Sequence, residues 1–297
     1  MARSLLTKPE SLEVPVICVG NAVAGGAGKT PVTTSIIKTA IALNFNTHIL
    51  SRGYGGTIKS PTLVDPTKHD HTEVGDEPLL HARHAPTWVS HSRVKGGRAA
   101  IAGGASAILM DDGFQNPTIH KDFSILVVDG EYGFGNECIL PAGPLRESIR
   151  SAVDRADLVV IIEPEIRNVG SVISKDKTVL TARFAASDHD INISGARVFA
   201  FSGIGRPVKF FRTLAEMGCD LIETWSYPDH HVFTSKQTSE ILKIAKEKDA
   251  IPITTEKDSV RLPVSARDMV KILPVTLEWN DKQAFDDIIG SAIRTKV

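Results

Sequence analysis

The sequence contains little cysteine and no long apolar run. Its three cysteines, Cys18, Cys138 and Cys219, are isolated and odd in number, which is typical of a reducing compartment and of neither a disulfide framework nor a zinc site. No run of about 18 apolar residues occurs and no signal-peptide core opens the chain. A membrane span and a secretory signal are therefore both unsupported, and we expect a cytoplasmic protein.

The chain also lacks an excess of either charge. Its 34 Lys and Arg residues face 35 Asp and Glu residues, which leaves a net charge of -1. No basic footprint for nucleic acid is present, so we expect no nucleic-acid partner. With 42% apolar residues over 297 positions, the chain can bury one large core or two ordinary ones. The sequence does not reveal the oligomeric state.

The stretch Val14 to Thr30, reading VPVICVGNAVAGGAGKT, runs a buried-type strand into a glycine-rich loop and a helix start. Glycines in such a loop let backbone N–H groups approach an anion, as Gly25, Gly26 and Gly28 do in this interpretation. Lys29 adds a positive charge, and Thr30 offers a hydroxyl to Mg²⁺. The pattern indicates a loop that binds nucleotide phosphate.

The loop departs from the usual P-loop pattern at Val23, which stands where that pattern has its first glycine. The residues that follow the loop nevertheless repeat with helical spacing, at Val32, Ile36, Ile37, Ala40 and Leu43. A strand before the loop and an amphipathic helix after it favour a phosphate loop over a chance cluster of glycines.

Short apolar runs alternate with helix-length segments along the chain, at His48 to Leu50, Ala107 to Met110, Ser124 to Val128, Leu158 to Ile162, Val198 to Phe201 and Ile251 to Thr254. This alternation predicts an α/β fold, with a largely parallel P-loop NTPase-type sheet and helices on both faces.

A polar, turn-rich stretch at residues 185–195 predicts a domain boundary. We expect a nucleotide-binding core over residues 1–188 and a second, smaller α/β domain over 189–297 that closes over the cleft. Whether the final helix returns to the core stays open.

Two acids, Asp111 and Asp112, directly follow the apolar strand that ends at Met110. In P-loop enzymes a carboxylate at the end of a neighbouring strand holds Mg²⁺ opposite the loop hydroxyl. The alternative is that such acids only form a turn or cap a helix. Because adjacent acids rarely share one task, we expect one to face the metal and the other to orient a side chain or substrate.

Four further segments carry charged, aromatic or imidazole groups in turns. The segment SRGYGG at 51–56 offers a cation and an aromatic ring. The segment VGDEP at 74–78 places two acids at a helix start. Those acids either pair with the helix dipole or act in catalysis. PAGPLRE at 141–147 ends in a charged pair that clamps an anion or lies on the surface. PDHH at 228–231 marks an exposed loop or a site, and Thr234 with Gln237 predicts a capping box after it.

These segments together resemble one family. Eight segments occur in the order and rough spacing found in tetraacyldisaccharide 4'-kinase, over residues 14 to about 262. These segments are VPVICVGNAVAGGAGKTP, SRGYGG, VGDEPLL, MDDGFQ, LPAGPLRE, FSGIGRP, YPDHH and TTEKD. The resemblance implies transfer of the ATP γ-phosphate to the 4'-hydroxyl of a tetraacylated disaccharide 1-phosphate in lipid A biosynthesis. It also implies Mg²⁺ as cofactor and a peripheral position on the anionic surface at the cytoplasmic face of the inner membrane.

The resemblance assigns roles position by position. Nucleotide binding falls to Gly25, Gly26, Ala27, Gly28, Lys29 and Thr30, and the metal region to Thr30, Asp111 and Asp112. Asp76 matches the family's catalytic acid, and His230 matches its imidazole partner from the second domain. A histidine that shares the proton makes a carboxylate a better base for a sugar hydroxyl. Substrate or nucleotide contacts are implied for Tyr54, Arg93, Arg146 and Glu147.

The sequence differs from the family pattern in three places. Val23, Ala24 and Ala27 replace residues that often include threonine, which removes side-chain donors but leaves the backbone cradle. Asn116 stands where many members have histidine. Only 13 residues precede Val14, fewer than usual, so we expect either an upstream start or weak membrane attachment through the lipid substrate and surface helices.

Two other protein classes compete with this interpretation. A partitioning-type switch ATPase has a lysine directly before the paired glycines, but this chain has Ala24 there. A GTP-binding switch reads its base with a Lys-x-Asp element, which Thr255 to Asp258 resembles without the required asparagine or spacing. We expect at most an adenine-side contact from that segment.

Overall fold

The structure is a computed structural model that describes residues 8–173, 175–186 and 193–296. Its strands are β1 Val16–Gly20, β2 Thr47–Ser51, β3 Thr62–Leu63, β4 Thr87–Val89, β5 Ala107–Asp111, β6 Phe123–Asp129, β7 Leu158–Glu163, β8 Thr178–Ala186, β9 Arg197–Ser202, β10 Asp220–Ser226, β11 Ile251–Thr255, β12 Lys271–Leu273 and β13 Val275–Trp279. Its α-helices are α1 Lys29–Ala42, α2 His71–Val74, α3 Asp76–His81, α4 Arg93–Ala102, α5 Ile149–Arg155, α6 Pro207–Glu216, α7 Ser235–Glu247, α8 Glu256–Ser259, α9 Val264–Arg267 and α10 Lys282–Ile293. A 3₁₀ turn spans Val169–Val172.

A nine-stranded sheet in the order β13-β8-β7-β6-β1-β5-β2-β4-β3 forms the larger part of the fold. Strands β8, β7, β6, β1, β5, β2 and β4 pair in parallel, and β3 pairs antiparallel with β4. The six runs predicted as strands all lie in strands. The prediction of a parallel-dominated α/β fold is therefore confirmed.

Both faces of this sheet are buried, as the near-continuous apolar strands require. Along β1, Val16 and Cys18 point into one apolar cluster, while Ile17 and Val19 point into another. The first cluster includes Ala100 of α4 and Ala152 and Val153 of α5, and the second includes residues of α1 and α10. Helices therefore cover both faces, as predicted.

A second sheet has four parallel strands in the order β10-β9-β11-β12. Its two apolar clusters take buried side chains from α6, such as Phe210 and Leu214, and from α7, such as Ile241 and Ala245. This smaller α/β unit has its own core on both faces of its sheet.

The chain forms two compact units, residues 1–184 with 277–297 and residues 185–276. The chain crosses between them within β8 and again within β13, so α10 belongs to the first unit. The predicted division at residues 188 and 189 stays a prediction, because residues 187–192 of the boundary stretch lie outside the described residues. Among the described residues, no helix is long and apolar enough to cross a membrane.

Helix α10 closes one face of the large sheet beside α1. Phe285 is fully buried and stacks on Trp279 with ring centroids 3.8 Å apart. Asp286 accepts a 2.6 Å hydrogen bond from the Thr39 hydroxyl of α1. Helix α10 thus contributes to the core that supports α1 and the glycine-rich loop.

Replacing Phe285 with alanine removes a buried ring and leaves a cavity, which we expect to lower the free energy of unfolding by about 3–5 kcal/mol. Urea denaturation followed by circular dichroism measures the loss. Ile41→Ala is the matched control, because Ile41 lies on α1 with 57% of its surface exposed and its loss should cost less than about 0.5 kcal/mol. Equal losses for the two variants would contradict this account of α10.

Candidate active site

The glycine-rich loop lies where β1 ends and α1 begins, at the carboxyl edge of the large sheet. Gly28 is the N-cap of α1 with φ 88°, and Gly25 has φ 101°. Within the part of the chain that the structure describes, and apart from the adjoining residues of the loop, no heavy atom lies within 4 Å of the position that a Cβ would take at Gly25 or Gly26. The loop therefore has open space above it, and the first N–H groups of α1 lack intrahelical partners, as in anion sites at helix N-termini.

The unusual Val23 has a structural explanation. Its side chain is 3% exposed, and its backbone pairs antiparallel with Leu145. Ala24 N donates to the Pro144 carbonyl at 2.8 Å, and Arg146 N donates to the Ala22 carbonyl at 2.8 Å. The glycine-rich loop is thus joined by backbone hydrogen bonds to the PAGPLRE segment, and a buried valine occupies the position that is usually glycine.

Lys29 is the first residue of α1 and is 8% exposed. Its Nζ lies 3.4 Å from Asn21 Oδ1 and 3.5 Å from Asp112 Oδ1. Asn21 in turn donates from Nδ2 to the Gly25 carbonyl at 3.3 Å. The ammonium group is therefore held beside the loop by contacts with two side-chain oxygens.

The two predicted acids have different surroundings. Asp112, at φ 46°, accepts hydrogen bonds of 2.9 and 3.1 Å from Arg146 Nη1, in addition to its contact with Lys29. Asp111 ends β5 and is 1% exposed, and its Oδ2 is buried without a hydrogen-bond partner among the described residues. His81 Nε2 lies 3.3 Å from that oxygen. Asp112 is balanced by two cations, whereas Asp111 keeps a carboxylate oxygen suited to another cation.

A hydrogen-bond network fixes the charged pair at the end of PAGPLRE. Gln115 Nε2 donates to the Asn21 carbonyl at 2.8 Å and to Glu147 Oε1 at 3.0 Å. Arg155 Nη2 donates to Glu147 Oε1 at 2.7 Å, and Ser151 Oγ donates to Oε2 at 2.9 Å. Burial opposes the charge on Glu147, but hydrogen bonds from Arg155, Gln115 and Ser151 outweigh it and lower the pKa of the carboxyl group.

Arg93 is a buried cation in the same unit. Its side chain is 4% exposed, Nη1 donates to the Ser90 carbonyl at 2.8 Å, and Nε has no hydrogen-bond partner among the described residues. Burial and the positive charge of Arg52 lower the pKa of Arg93, while Asp111 and Asp112 act in the opposite direction. A buried guanidinium with an unpartnered N–H is stabilised by an anion.

The backbone that directly follows SRGYGG pairs with the backbone that directly precedes VGDEP. Thr57 N donates to the Thr72 carbonyl at 3.0 Å, and Ile58 N donates to the Glu73 carbonyl at 2.9 Å. Gly75 has φ 89°, and a Cβ there would lie 2.6 Å from the Tyr54 carbonyl, so only glycine fits between the two segments.

This contact brings Tyr54, which is 74% exposed, beside the start of α3. That helix begins at Asp76, which is 7% exposed and accepts a 3.0 Å hydrogen bond from Glu77 N.

The two neighbouring histidines of the second unit have different environments. The His231 ring stacks on Tyr227 at a centroid distance of 4.5 Å, and its Nε2 lies 3.2 Å from Gln237 Oε1. Gln237 belongs to the predicted capping box of α7, which is confirmed. His230 has φ 61°, and its side chain is 44% exposed. His231 is part of the aromatic packing, whereas His230 lies at the surface of its loop.

Direct contacts in the first unit join the glycine-rich loop, Lys29, Asp112, Arg146 and Glu147. Sequence reasoning did not assign roles to Asn21, His81, Gln115 or Arg155, although Gln115 lay within a recognised motif. Among the described residues, no group of three or more His, Cys, Asp or Glu side chains is arranged to hold a metal ion. Mg²⁺ in nucleotide sites uses one or two carboxylates plus phosphate oxygens, so Asp111 and the half-buried Thr30 still fit such an ion.

Comparisons with known proteins agree on one family. The family model described as LpxK, Tetraacyldisaccharide-1-P 4'-kinase, matches residues 1–294. A tetraacyldisaccharide 4'-kinase of Rhodospirillum centenum is 45% identical over 295 residues, which cover 98% of this chain and 86% of the relative. One of Paramagnetospirillum magneticum is 48% identical over 268 residues, which cover 90% of this chain and 82% of the relative.

A solved structure leads to the same conclusion. LpxK from Aquifex aeolicus, crystallised in complex with ATP, is 28% identical and superimposes with a TM-score of 0.76 over 97% of this chain and 91% of that chain. The predicted family is confirmed, and the chain belongs to the tetraacyldisaccharide-1-P 4'-kinases.

Proposed function

We propose that this protein transfers the γ-phosphate of ATP to the 4'-hydroxyl of a tetraacyldisaccharide 1-phosphate in lipid A biosynthesis. Family membership supports the reaction, and one arrangement in the structure carries the assignment. That arrangement is the open glycine-rich loop with Lys29 and Arg146 held on either side of Asp112. The partitioning-type ATPase is disfavoured, because Ala24 replaces its signature lysine and its N–H is used in the contact with Pro144.

The loop from Gly25 to Thr30, including Ala27, binds the ATP phosphates. Backbone N–H groups of the loop and of the first turn of α1 donate to phosphate oxygens, and Lys29 neutralises their charge. Because Lys29 and Arg146 are already placed by Asp112, their side chains lose little conformational freedom when the nucleotide binds.

Thr30, Asp111 and Asp112 form the proposed metal region. Mg²⁺ bound there would neutralise charge on the phosphates. Asp111 is the better-placed ligand, because its buried Oδ2 faces one imidazole, with His81 Nε2 at 3.3 Å, whereas Asp112 is shared by a lysine and an arginine. Asp112 then serves chiefly to orient Lys29 and Arg146.

Arg93 and Tyr54 extend the site toward the acceptor. The buried guanidinium of Arg93, whose Nε has no hydrogen-bond partner among the described residues, suits a phosphate group of the nucleotide or of the substrate. The exposed Tyr54 ring offers an apolar face and a hydroxyl to a sugar. Glu147 is held by Gln115 and Arg155, so it acts by fixing the PAGPLRE segment against the phosphate loop.

We also propose Asp76 as the general base and His230 as its imidazole partner, with the second unit closing over the cleft. Asp76 is the first residue of α3 and is 7% exposed. His230 is the more suitable of the two histidines, because stacking and a hydrogen bond engage the His231 ring within its own unit. Phosphoryl transfer depends mainly on positioning and charge stabilisation, so a modest base suffices.

Membrane contact is proposed at the turn formed by residues 138–142. Ile139 and Leu140 are 48% and 54% exposed, and hydrogen bonds between Leu140 and Leu145 and from Leu145 to Cys138 hold the turn in shape. An acylated substrate cannot leave a bilayer without exposing apolar surface, at about 0.8 kcal/mol per CH₂. An apolar turn joined to the phosphate loop would bring the loop to the lipid at the cytoplasmic face of the inner membrane.

Lys29→Ala removes the cation beside the phosphates, and we expect a loss in kcat/KM of about 10²-fold or more, since one such contact contributes about 3 kcal/mol. Purified protein is incubated with ATP, Mg²⁺ and detergent-dispersed tetraacyldisaccharide 1-phosphate, and mass spectrometry detects the added 4'-phosphate. Lys38→Ala, an exposed lysine on the same helix, is the control and should retain activity. A folded Lys29→Ala enzyme with normal activity would overturn the phosphate-loop assignment.

Asp76→Ala and His230→Ala are each expected to lower kcat while leaving ATP affinity nearly unchanged, because the proposed pair acts on the acceptor hydroxyl. The double variant should lose far less than the product of the two single losses, since residues acting as a unit are not additive. Single-turnover kinetics measure the effects. His231→Phe, which keeps a ring against Tyr227, is the control, and a neutral His230→Ala with a damaging His231→Phe would identify the other imidazole.

Ile139→Asp with Leu140→Asp is expected to reduce flotation with anionic vesicles that contain the substrate, because two carboxylates oppose insertion of the turn. Ile41→Asp is the matched control. Ile41 is 57% exposed in the last turn of α1, at the edge of the sheet opposite the phosphate loop. Unchanged flotation of the double variant would show that another surface contacts the membrane.

A further inference from the structure

A fully buried carboxylate lies at the carboxyl edge of the four-stranded sheet. Asp258, in the TTEKD segment, is 0% exposed. Its Oδ2 accepts hydrogen bonds from Ser202 Oγ at 2.9 Å and Thr255 Oγ1 at 2.7 Å. Its Oδ1 accepts from Gly203 N at 3.0 Å and from Arg261 Nη1 at 3.2 Å, and Arg261 is itself only 2% exposed. Every one of these donors belongs to the second unit.

The peptide at Gly203 is held from both ends and supports the histidine loop. Arg261 Nη1 donates to the Gly203 carbonyl at 2.9 Å, and the same carbonyl accepts from His230 N at 3.0 Å. The next segment is tied in as well, since Tyr227 N donates to the Ser202 carbonyl at 2.9 Å. A Cβ at Gly203 would lie 2.9 Å from His231 Cβ, so the loop packs directly on this glycine.

The position of this cluster in the sheet explains why its donors converge. β9 and β11 are neighbours, and their connections lead away in opposite directions, toward β10 and β12. In parallel sheets the crevice between two such strands commonly binds a ligand, often an anion. Here the carboxylate of Asp258 accepts hydrogen bonds from the hydroxyl, N–H and guanidinium groups that would otherwise bind such an anion. Asp258 therefore does not read a nucleotide base, and the crevice is filled by the chain's own anion.

We propose that the Asp258–Arg261 pair is a positioning site for phosphoryl transfer, which sets the backbone of His230 through the Gly203 peptide. This inference rests on the proposed role of His230 as the partner of the general base. It assigns one task to three sequence motifs, because FSGIGRP supplies Gly203, YPDHH supplies His230 and TTEKD supplies Asp258. Neither Asp258 nor Arg261 touches the reacting atoms in this proposal.

The test is a double-mutant cycle between Asp258→Asn and His230→Ala. Asn is close in size to Asp but uncharged, so it weakens the hold on Gly203 and Arg261. In the otherwise unchanged enzyme we expect kcat to fall roughly 10- to 100-fold, as for a displaced catalytic group. In the His230→Ala background the same substitution should change kcat less than about twofold, because its effect passes through His230. KM for ATP should stay within about twofold in both backgrounds, since the proposed phosphate loop is untouched.

Thr254→Val is the matched control, since Thr254 is also fully buried and its hydroxyl donates to the Phe201 carbonyl at 2.7 Å outside the Asp258 network. It should lower Tm without lowering kcat. If Asp258→Asn fails to fold, Gly203→Ala replaces it in the cycle, because the added Cβ displaces the histidine loop without changing a charge.

Equal losses of kcat in both backgrounds, or no loss in a folded Asp258→Asn enzyme, would overturn the positioning role. If His230→Ala leaves kcat unchanged, that result would overturn the proposed role of His230, and the positioning role with it. Asp258→Asn would then show whether the pair matters only for Tm.

Discussion

The arrangement of the site depends on one carboxylate shared by two cations. Asp112 stands between Lys29 of the glycine-rich loop and Arg146 of the PAGPLRE segment, while backbone hydrogen bonds join the same two segments at Ala22, Ala24 and Pro144. Without that carboxylate, two positive side chains would face each other across a loop that already concentrates N–H donors. Asp112 thus neutralises part of the positive charge beside the glycine-rich loop.

The sequence predicted those parts of the fold that depend on local pattern. Apolar runs gave the strands, and helical spacing after the loop gave α1, because burial on one or two faces leaves a period that one chain segment reveals. The capping box of Thr234 and Gln237 was equally local. The two-unit organisation was harder to predict from the sequence, because α10 returns to the first unit through β13. The apolar pattern of α10 alone does not indicate which of the two sheets the helix covers.

The contacts of the site were beyond sequence reasoning, because they join residues far apart in the chain. Arg146 binds Asp112 across 34 positions, and Gln115 bonds to Asn21 across 94. The motif carried the residue types, but only the fold shows that Asp112 serves the two cations and that Asp111 keeps a buried oxygen. Val23 is the clearest case, since its departure from the usual glycine makes sense only when its pairing with Leu145 is known.

The two parallel sheets use their carboxyl edges in opposite ways. In the larger sheet, glycines without nearby atoms leave space at the end of β1, and the cations there lie beside a single shared carboxylate. In the smaller sheet, the end of β9 is filled by Asp258, which satisfies the Ser202, Gly203 and Arg261 donors. An open edge can accept an external phosphate, whereas an internally satisfied edge gives a rigid support, since a buried network costs least when every member is paired. The same topology therefore gives an open edge beside two cations in one unit and an internally hydrogen-bonded edge in the other.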